Sequence, residues 1–333
     1  MKKLKWGILS TAKIGIDKVI PGMLKSEMFE VAGIASRNLE QAKNAASQLG
    51  IARAYGSYDE LLGDPEIDII YNPLPNHLHV EWTAKAIEAG KHVLCEKPLF
   101  INPADSATLI NLRDKHNIKV GEAFMVKSHP QWTRAKEICD SGDLGEVILY
   151  NASFTYYNTD PDNIRNIAAF GGGALWDIGC YPVMTSMYLF AENPSRVFCE
   201  IKRDPQFGTD VFSSAILEFP SGKRAIFTVS TQLAPYQRVH ILGTKKELEI
   251  QIPFNSPTDR PSVIKINFAD ILQENLIKEN IPTCDQYQLQ AEAFTEAVLN
   301  NTEVPVSLED ALDHSRIITA LFESASVGQW KTF

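Results

Sequence analysis

Up to Phe124 the apolar positions fall in short runs that alternate with stretches of helical spacing. Leu4–Ser10, Phe29–Ser36, Ile67–Asn72, His92–Glu96 and Lys119–Phe124 have strand character. Ala12–Lys25, Leu39–Leu49 and His77–Ala89 carry helical patterns between them, and another helix is predicted to start near Pro103. A proline suits a first helical turn, where its missing N–H would have no intrahelical partner anyway. Strands alternating with helices predict a parallel sheet with crossover helices.

Beyond Phe124 the rhythm changes. A helix near Gln131–Asp140 precedes Gly142-Asp-Leu-Gly145 and a long strand, Val147–Tyr157; a Gly-rich turn and a helix follow around Gly171–Leu189. Strand patterns then come in succession at Arg196–Lys202, Phe212–Phe219, Arg224–Ser230, Arg238–Leu242, Glu247–Ile252 and Ser262–Asn267. Pro220-Ser-Gly-Lys223 is a hairpin signal, and consecutive strands with short turns predict antiparallel pairing. Helices at about Tyr287–Asn300 and Leu308–Ser326 close the chain. The predicted fold is α/β, with a doubly wound parallel sheet over residues 1–124. A C-terminal α+β domain over 125–333 carries a large, mostly antiparallel open sheet.

A length of 333 residues accords with two domains rather than one core. The longest apolar runs are of strand length, so no membrane span is predicted. The basic N-terminus leads into a strand pattern and a Gly turn without a long apolar region, which makes the cytoplasm the expected location. A net charge of −9 with interspersed signs and no basic stripe argues against nucleic acid. The five cysteines form no Cys-x-x-Cys pair, and no His/Cys cluster has metal-ligand spacing, so neither a metal nor a disulfide framework is expected.

The first predicted strand runs into Gly7-Ile-Leu-Ser10-Thr11-Ala12-Lys-Ile14-Gly15. Small residues after the first strand of such a sheet allow a tight turn and close approach of backbone amides to a pyrophosphate at the helix N-terminus. Ser10 and Ala12 stand where glycine is usual and only Gly15 keeps its place, so the motif alone is weak; its position is that of a Rossmann-type dinucleotide fold. The second strand ends in Ser36-Arg37-Asn38 rather than in the acidic residue that would bind an NAD ribose. Arg37 offers a permanent charge for a 2′-phosphate and Ser36 a short hydroxyl, although a helix cap followed by a surface arginine would read the same way. NADP is the expected cofactor, with NAD possible.

Three further motifs follow: Tyr71-Asn-Pro-Leu74-Pro75-Asn76-His77-Leu-His79, Cys95-Glu96-Lys97-Pro98, and Phe170-Gly-Gly-Gly-Ala-Leu-Trp-Asp177-Ile-Gly-Cys-Tyr181-Pro182. Lys97 follows a buried strand at the sheet edge where α/β ligands bind, so its ammonium could stabilise charge on a reacting oxygen. Asp177 and Tyr181, four apart on a helix, are expected to face one side, with Tyr181 as proton carrier. Tyr181 could equally be a core tyrosine and Asp177 an exposed carboxylate. Asn76 could simply cap a helix, His79 pack against the turn, and Glu96 be structural.

In this order, and with the tail segments Gln286-Tyr-Gln-Leu-Gln-Ala-Glu-Ala-Phe294 and Pro305-Val-Ser-Leu-Glu-Asp-Ala-Leu312, the motifs resemble the glucose–fructose oxidoreductase / inositol dehydrogenase (Gfo/Idh/MocA) family over nearly the whole chain. Tyr181, where many members carry histidine, resembles the subgroup of glucose–fructose oxidoreductase, NADP-dependent xylose dehydrogenases and dimeric dihydrodiol dehydrogenases. The resemblance implies hydride transfer to or from a hydroxyl-bearing carbon of a sugar, polyol or diol. It implies catalysis by Lys97, Tyr181 and Asp177. It places Ser10, Thr11, Ala12, Ile14, Ser36, Arg37, Leu74, Pro75, Asn76, His79, Glu96, Lys97 and Glu122 on the cofactor. Phe154 and Arg165 join Lys97, Asp177 and Tyr181 on the substrate side. It also implies sheets that pair about a two-fold axis, giving a homodimer or dimer of dimers, with Phe212, Ile216, Phe227 and Val229 as candidates for the two faces. An NAD-dependent glycosidase and a dinucleotide-sensing regulator are alternatives on this scaffold; Ser36-Arg37 and Tyr181 count against the first, and Lys97 with Tyr181 against the second.

Overall fold

The computed structural model describes residues 3–268 and 270–333. The chain divides into two compact units, Met1–Ser128 with Asp285–Leu312, and His129–Cys284 with Asp313–Phe333.

The first unit is built on six parallel strands: β1 (Leu4–Leu9), β2 (Phe29–Ala35), β3 (Arg53–Tyr55), β4 (Ile69–Asn72), β5 (His92–Glu96) and β6 (Val120–Ala123). Their order is β3-β2-β1-β4-β5-β6. Trp6, Ile8, Ile69, Ile70, Val93 and Leu94 are buried, as expected of a parallel sheet covered on both faces. The chain winds outward from β1 in one direction, then returns to β4 and winds in the other. The carboxyl ends of β1 and β4 thus flank the switch point at which such sheets hold ligands.

Local chemistry sets the helix ends. Asn38 caps Leu39–Leu49 by accepting from Glu40 N and Gln41 N, and Gly50 stops that helix at a φ of 70°. The strand β3 and the capped helix Tyr58–Leu62 are not evident from the sequence, because elements of three and five residues show no period. The helix predicted from Ala12 is a wide π-turn, Gly15–Val19, running into Ile20–Met23. A second π-turn, Leu175–Gly179, runs into Cys180–Phe190. Each lies just ahead of a proline, Pro21 or Pro182, whose missing N–H cannot complete an α-turn.

A single cut near residue 124 does not describe the division. The helix Gln286–Asn300 packs with the first unit: Phe294 lies 5.7 Å from Trp6, which also meets Phe29 at 5.6 Å, and Trp6 Nε1 donates to Thr295 Oγ1 at 3.2 Å. An apolar helix face packs on whatever complementary face the fold offers, whatever the distance along the chain.

The second unit is built on nine strands: β7 (Val147–Tyr157), β8 (Arg196–Arg203), β9 (Asp210–Glu218), β10 (Arg224–Ser230), β11 (Gln232–Gly243), β12 (Glu247–Ile250), β13 (Ser262–Asn267), β14 (Ile277–Ile281) and β15 (Lys331–Thr332). Their order is β14-β13-β12-β11-β7-β10-β9-β8-β15; β7 and β10 run parallel and the other neighbours antiparallel. The sequence pattern misses β14 because it is a charged, largely exposed edge strand. One sheet face buries Tyr150, Ala152, Ala215, Phe227, Val229 and Ile241; the other leaves Ile148, Phe212 and Ile226 exposed. Among the described residues no helix is long and apolar enough to cross a membrane.

Candidate active site

In the first unit, the residues predicted from the sequence collect at the carboxyl ends of β1, β2, β4, β5 and β6, which parallel pairing puts on one edge. Ser10 follows β1 with φ 72°, the left-handed conformation that glycine ordinarily supplies, at a cost of about 1–2 kcal/mol for other residues. Its Oγ accepts from Ala12 N at 3.2 Å, which partly offsets that cost and holds the turn through Thr11 and Ala12. Ile14 is the N-cap of the π-turn that follows. After β2, Ser36 is buried, with its Oγ 3.4 Å from Gln41 Oε1 and accepting from Asn38 N at 3.2 Å. Arg37 is exposed beside Tyr58, whose phenol burial pushes up and the guanidinium holds back. A Ser10–Ala12 turn leading into a helix, with a guanidinium and no carboxylate at 36–38, is a donor set that fits a dinucleotide phosphate.

The loops after β4 and β5 are cross-braced. Asn72 Nδ2 donates to His79 O and Thr83 Oγ1, each at 3.2 Å, and Asn72 Oδ1 accepts from Leu74 N at 3.3 Å. Leu74 is buried, and Pro75 precedes the short helical turn Asn76–Leu78. His79 is buried with Nδ1 at 2.8 Å from Pro98 O and Nε2 at 2.6 Å from Leu74 O, and desolvation lowers its pKa. A neutral ring has one N–H and donates to one of these carbonyls, and with both nitrogens turned to backbone it braces the loops instead of facing into the site. Tyr71 donates to Glu96 Oε1 at 2.6 Å; burial raises both groups, and the Tyr71 hydrogen bond together with the Lys97 charge opposes the rise at Glu96.

Three side chains thereby hold three consecutive backbone positions. Lys97 N donates to Glu96 Oε2 at 3.3 Å, Pro98 O meets His79 Nδ1, and Leu99 N donates to Glu122 Oε1 at 2.8 Å. Glu96, His79 and Glu122, expected on the cofactor, are thus seen to fix the backbone around half-buried Lys97.

In the second unit, Asp177 Oδ2 accepts from Tyr156 Oη at 2.6 Å and from Arg165 Nε at 2.9 Å. Its side chain is 12% exposed, so it is not the exposed helical carboxylate that the sequence alone also allowed. The Asp177 charge raises the Arg165 pKa, and burial followed by Asp177 raises that of Tyr156. Asp177 lies in the π-turn and Tyr181 in the α-helix it feeds, so a simple four-residue helical spacing does not relate them. Tyr181 is buried, its ring 5.7 Å from Phe154 and 5.4 Å from Phe254; Phe154 is buried as well and forms a wall behind Tyr181. Thr185 Oγ1 donates to Tyr181 O at 2.8 Å.

Phe154, Arg165, Asp177 and Tyr181 therefore come together in one cluster. Three of its members escaped the sequence reading. Tyr156 lies two residues from Phe154 on one strand, so strand alternation could have found it. Phe254 and Asp210, whose Oδ2 accepts from Leu175 N at 2.7 Å, are remote in sequence and carry no local signal. Among the described residues, no group of three or more His, Cys, Asp or Glu side chains could hold a metal ion.

Comparison with known proteins gives two family matches. Residues 4–124 match the GFO/IDH/MocA oxidoreductase family with an NAD-binding Rossmann fold, and residues 132–249 match the GFO/IDH/MocA C-terminal domain. An uncharacterized oxidoreductase of Rhizobium meliloti is 44% identical over 100% of both chains. A D-xylose 1-dehydrogenase (NADP(+)) of Haloferax volcanii is 35% identical over 98% of each. Among solved structures, KijD10, a 3-ketoreductase from Actinomadura kijaniata in complex with NADP and TDP-benzene, superposes with a TM-score of 0.90 at 28% identity, covering 97% of this chain and 98% of its own. Further KijD10 structures carry a lysine-to-alanine or a tyrosine-to-phenylalanine replacement.

Proposed function

Because the chain belongs to the GFO/IDH/MocA family of oxidoreductases, we propose that it transfers a hydride between NADP(H) and a hydroxyl-bearing carbon of a sugar or a related polyol or diol. The observation that carries the reading is Lys97: an ammonium-bearing residue at the ligand-binding edge whose backbone surroundings are fixed by Glu96, His79 and Glu122. Arg37 at the end of β2, with no carboxylate beside it, supports NADP over NAD, as do the NADP-dependent relative and the NADP-bound neighbour. The nicotinamide cofactor, when bound, accepts or delivers the hydride.

The remaining chemistry falls to the chain. Lys97 donates a hydrogen bond to the reacting oxygen and stabilises its negative charge. Tyr181 takes the hydroxyl proton during oxidation and returns it during reduction. A phenol titrates near pH ~10, so this duty requires surroundings that favour the phenolate. Asp177, fixed by Tyr156 and Arg165, orients substrate hydroxyls. The lysine and tyrosine replaced in KijD10 are separated by the same number of residues as Lys97 and Tyr181, which supports giving each of these two a part in the reaction.

The exposed apolar positions Ile148, Phe212 and Ile226 support assembly through the open sheet face into a homodimer or dimer of dimers. A panel of aldoses, inositols and trans-diols with NADP⁺, followed by NADPH absorbance, tests the reaction. Turnover of at least one such substrate, abolished in Lys97→Met, is expected; a chain that binds NADP(H) yet oxidises none of them refutes the reading.

A further inference from the structure

Asp210 begins β9, is buried, and points its carboxylate at the start of the segment that carries Asp177 and Tyr181. Its Oδ2 accepts from Leu175 N at 2.7 Å and from Ser213 Oγ at 3.1 Å. Leu175 is the first residue of the π-turn, so this carboxylate sits where an N-cap would, next to the positive end of the helical run. Ala174, the residue at the N-cap position itself, makes no side-chain cap.

The glycines ahead of the turn are explained by the same contact. Gly173 has φ 115°, and a Cβ there would overlap Oδ1 of Asp210. A Cβ on Gly172 would stand 2.6 Å from Arg165 O. The Gly-Gly pair thus brings the backbone onto Asp210 on one side and onto the Arg165 loop on the other, and Asp177 N donates to Gly173 O at 3.1 Å at the junction.

We propose that Asp210 is the positioning residue of the substrate side: by holding Leu175 N and the Gly173 turn, it sets the place of Asp177 and Tyr181. The inference rests on the proposed role of Tyr181 as proton carrier. Arg165 and Tyr156 fix the Asp177 side chain; Asp210 fixes the backbone ahead of it. The groups whose charge bears on Asp210 or feels it are Arg203 and Cys199 on β8 and Tyr156 on β7. Burial pushes the Asp210 carboxyl up to about 6, against the pull of Leu175 N and Ser213. Its charge state therefore changes just below neutrality, and the field at Tyr156 changes with it.

The test uses the full chain with tyrosine isotope-labelled at Cζ, read by NMR and assigned with Tyr156→Phe and Tyr181→Phe. In Asp210→Ala the Tyr156 and Tyr181 resonances should move while those of Tyr55 and Tyr71 stay, and Asp210→Asn, which keeps an acceptor for Leu175 N, should restore most of the shift. On a substrate that the parent oxidises, Asp210→Ala should lose up to ~10²-fold in kcat with NADP(H) affinity unchanged, the scale of a misplaced reacting group. Unmoved Tyr156 and Tyr181 resonances in the folded Ala variant overturn the proposal. Should that variant not fold, the pH dependence decides: the parent's Tyr156 and Tyr181 resonances should titrate with a midpoint near 6 that is absent in Asp210→Asn, and coincident curves overturn it. The resonances need no substrate, so absence of turnover in the parent would sink the proposed reaction without touching this result.

Discussion

Glu122 separates two accounts of the cofactor edge. The sequence places it on the cofactor; the structure gives its Oε1 to Leu99 N at 2.8 Å, two residues beyond Lys97. Glu122→Ala removes the acceptor from a buried backbone N–H, a loss of about 1–3 kcal/mol. The surroundings, which include Leu94, Gly121, Phe124, Gln290 and Phe294, line a small cavity and are mostly apolar. Glu122→Gln keeps an amide oxygen of the same reach and should recover most of that energy. Denaturant unfolding gives the stability difference, and cofactor titration by fluorescence gives the affinity. The expected outcome is a loss of about 1–3 kcal/mol and at least ~10-fold in kcat for the Ala variant, with NADP(H) affinity near that of the parent and the Gln variant close to normal in all three. An Ala variant as stable as the parent, or a Gln variant that folds normally but binds NADP(H) tenfold more weakly, would refute the bracing account and favour direct contact with the cofactor.

Arg37→Ala should remove most of the preference for NADP(H) over NAD(H), about ten- to a hundred-fold for a charge-assisted contact worth about 1.5–3 kcal/mol; equal dissociation constants in the parent would contradict this. Tyr181→Phe and Lys97→Met should each lower kcat by at least ~10²-fold while keeping the fold and NADP(H) binding, and the double variant should be little worse than either, as steady-state kinetics would show. Phe254→Ala should cost about 3–5 kcal/mol in unfolding experiments, because it empties a fully buried site stacked on Phe154 at 4.9 Å and packed against Tyr181. Burial lowers His129 from 6.5 to about 4, so the unfolded chain takes up this proton first as pH falls, and its contribution to stability is lost between about 6.5 and about 4. Comparing parent and His129→Gln unfolding free energies across that window isolates the contribution; parallel curves would contradict it.

The residues themselves determined the alternation of strand and helix, the parallel sheet and the later run of antiparallel strands. Each rests on a period of two or of 3.6 residues that is complete within a short segment. The places of Arg37 and Lys97 at the ends of strands on one sheet edge were legible for a related reason: the strands that carry them are complete within the local pattern. What the local pattern could not supply were partners. His79 reads as a packing or pocket residue until its ring is seen between Leu74 O and Pro98 O, and Asp177 as a solvated carboxylate until Tyr156 and Arg165 close on it. Asp210 lies 35 positions from Leu175, and the helix Gln286–Asn300 returns to a sheet whose first strand holds Trp6. Such contacts form because buried polar groups must find hydrogen-bond partners and apolar faces must find cover, and only the folded chain decides which distant segments come within reach.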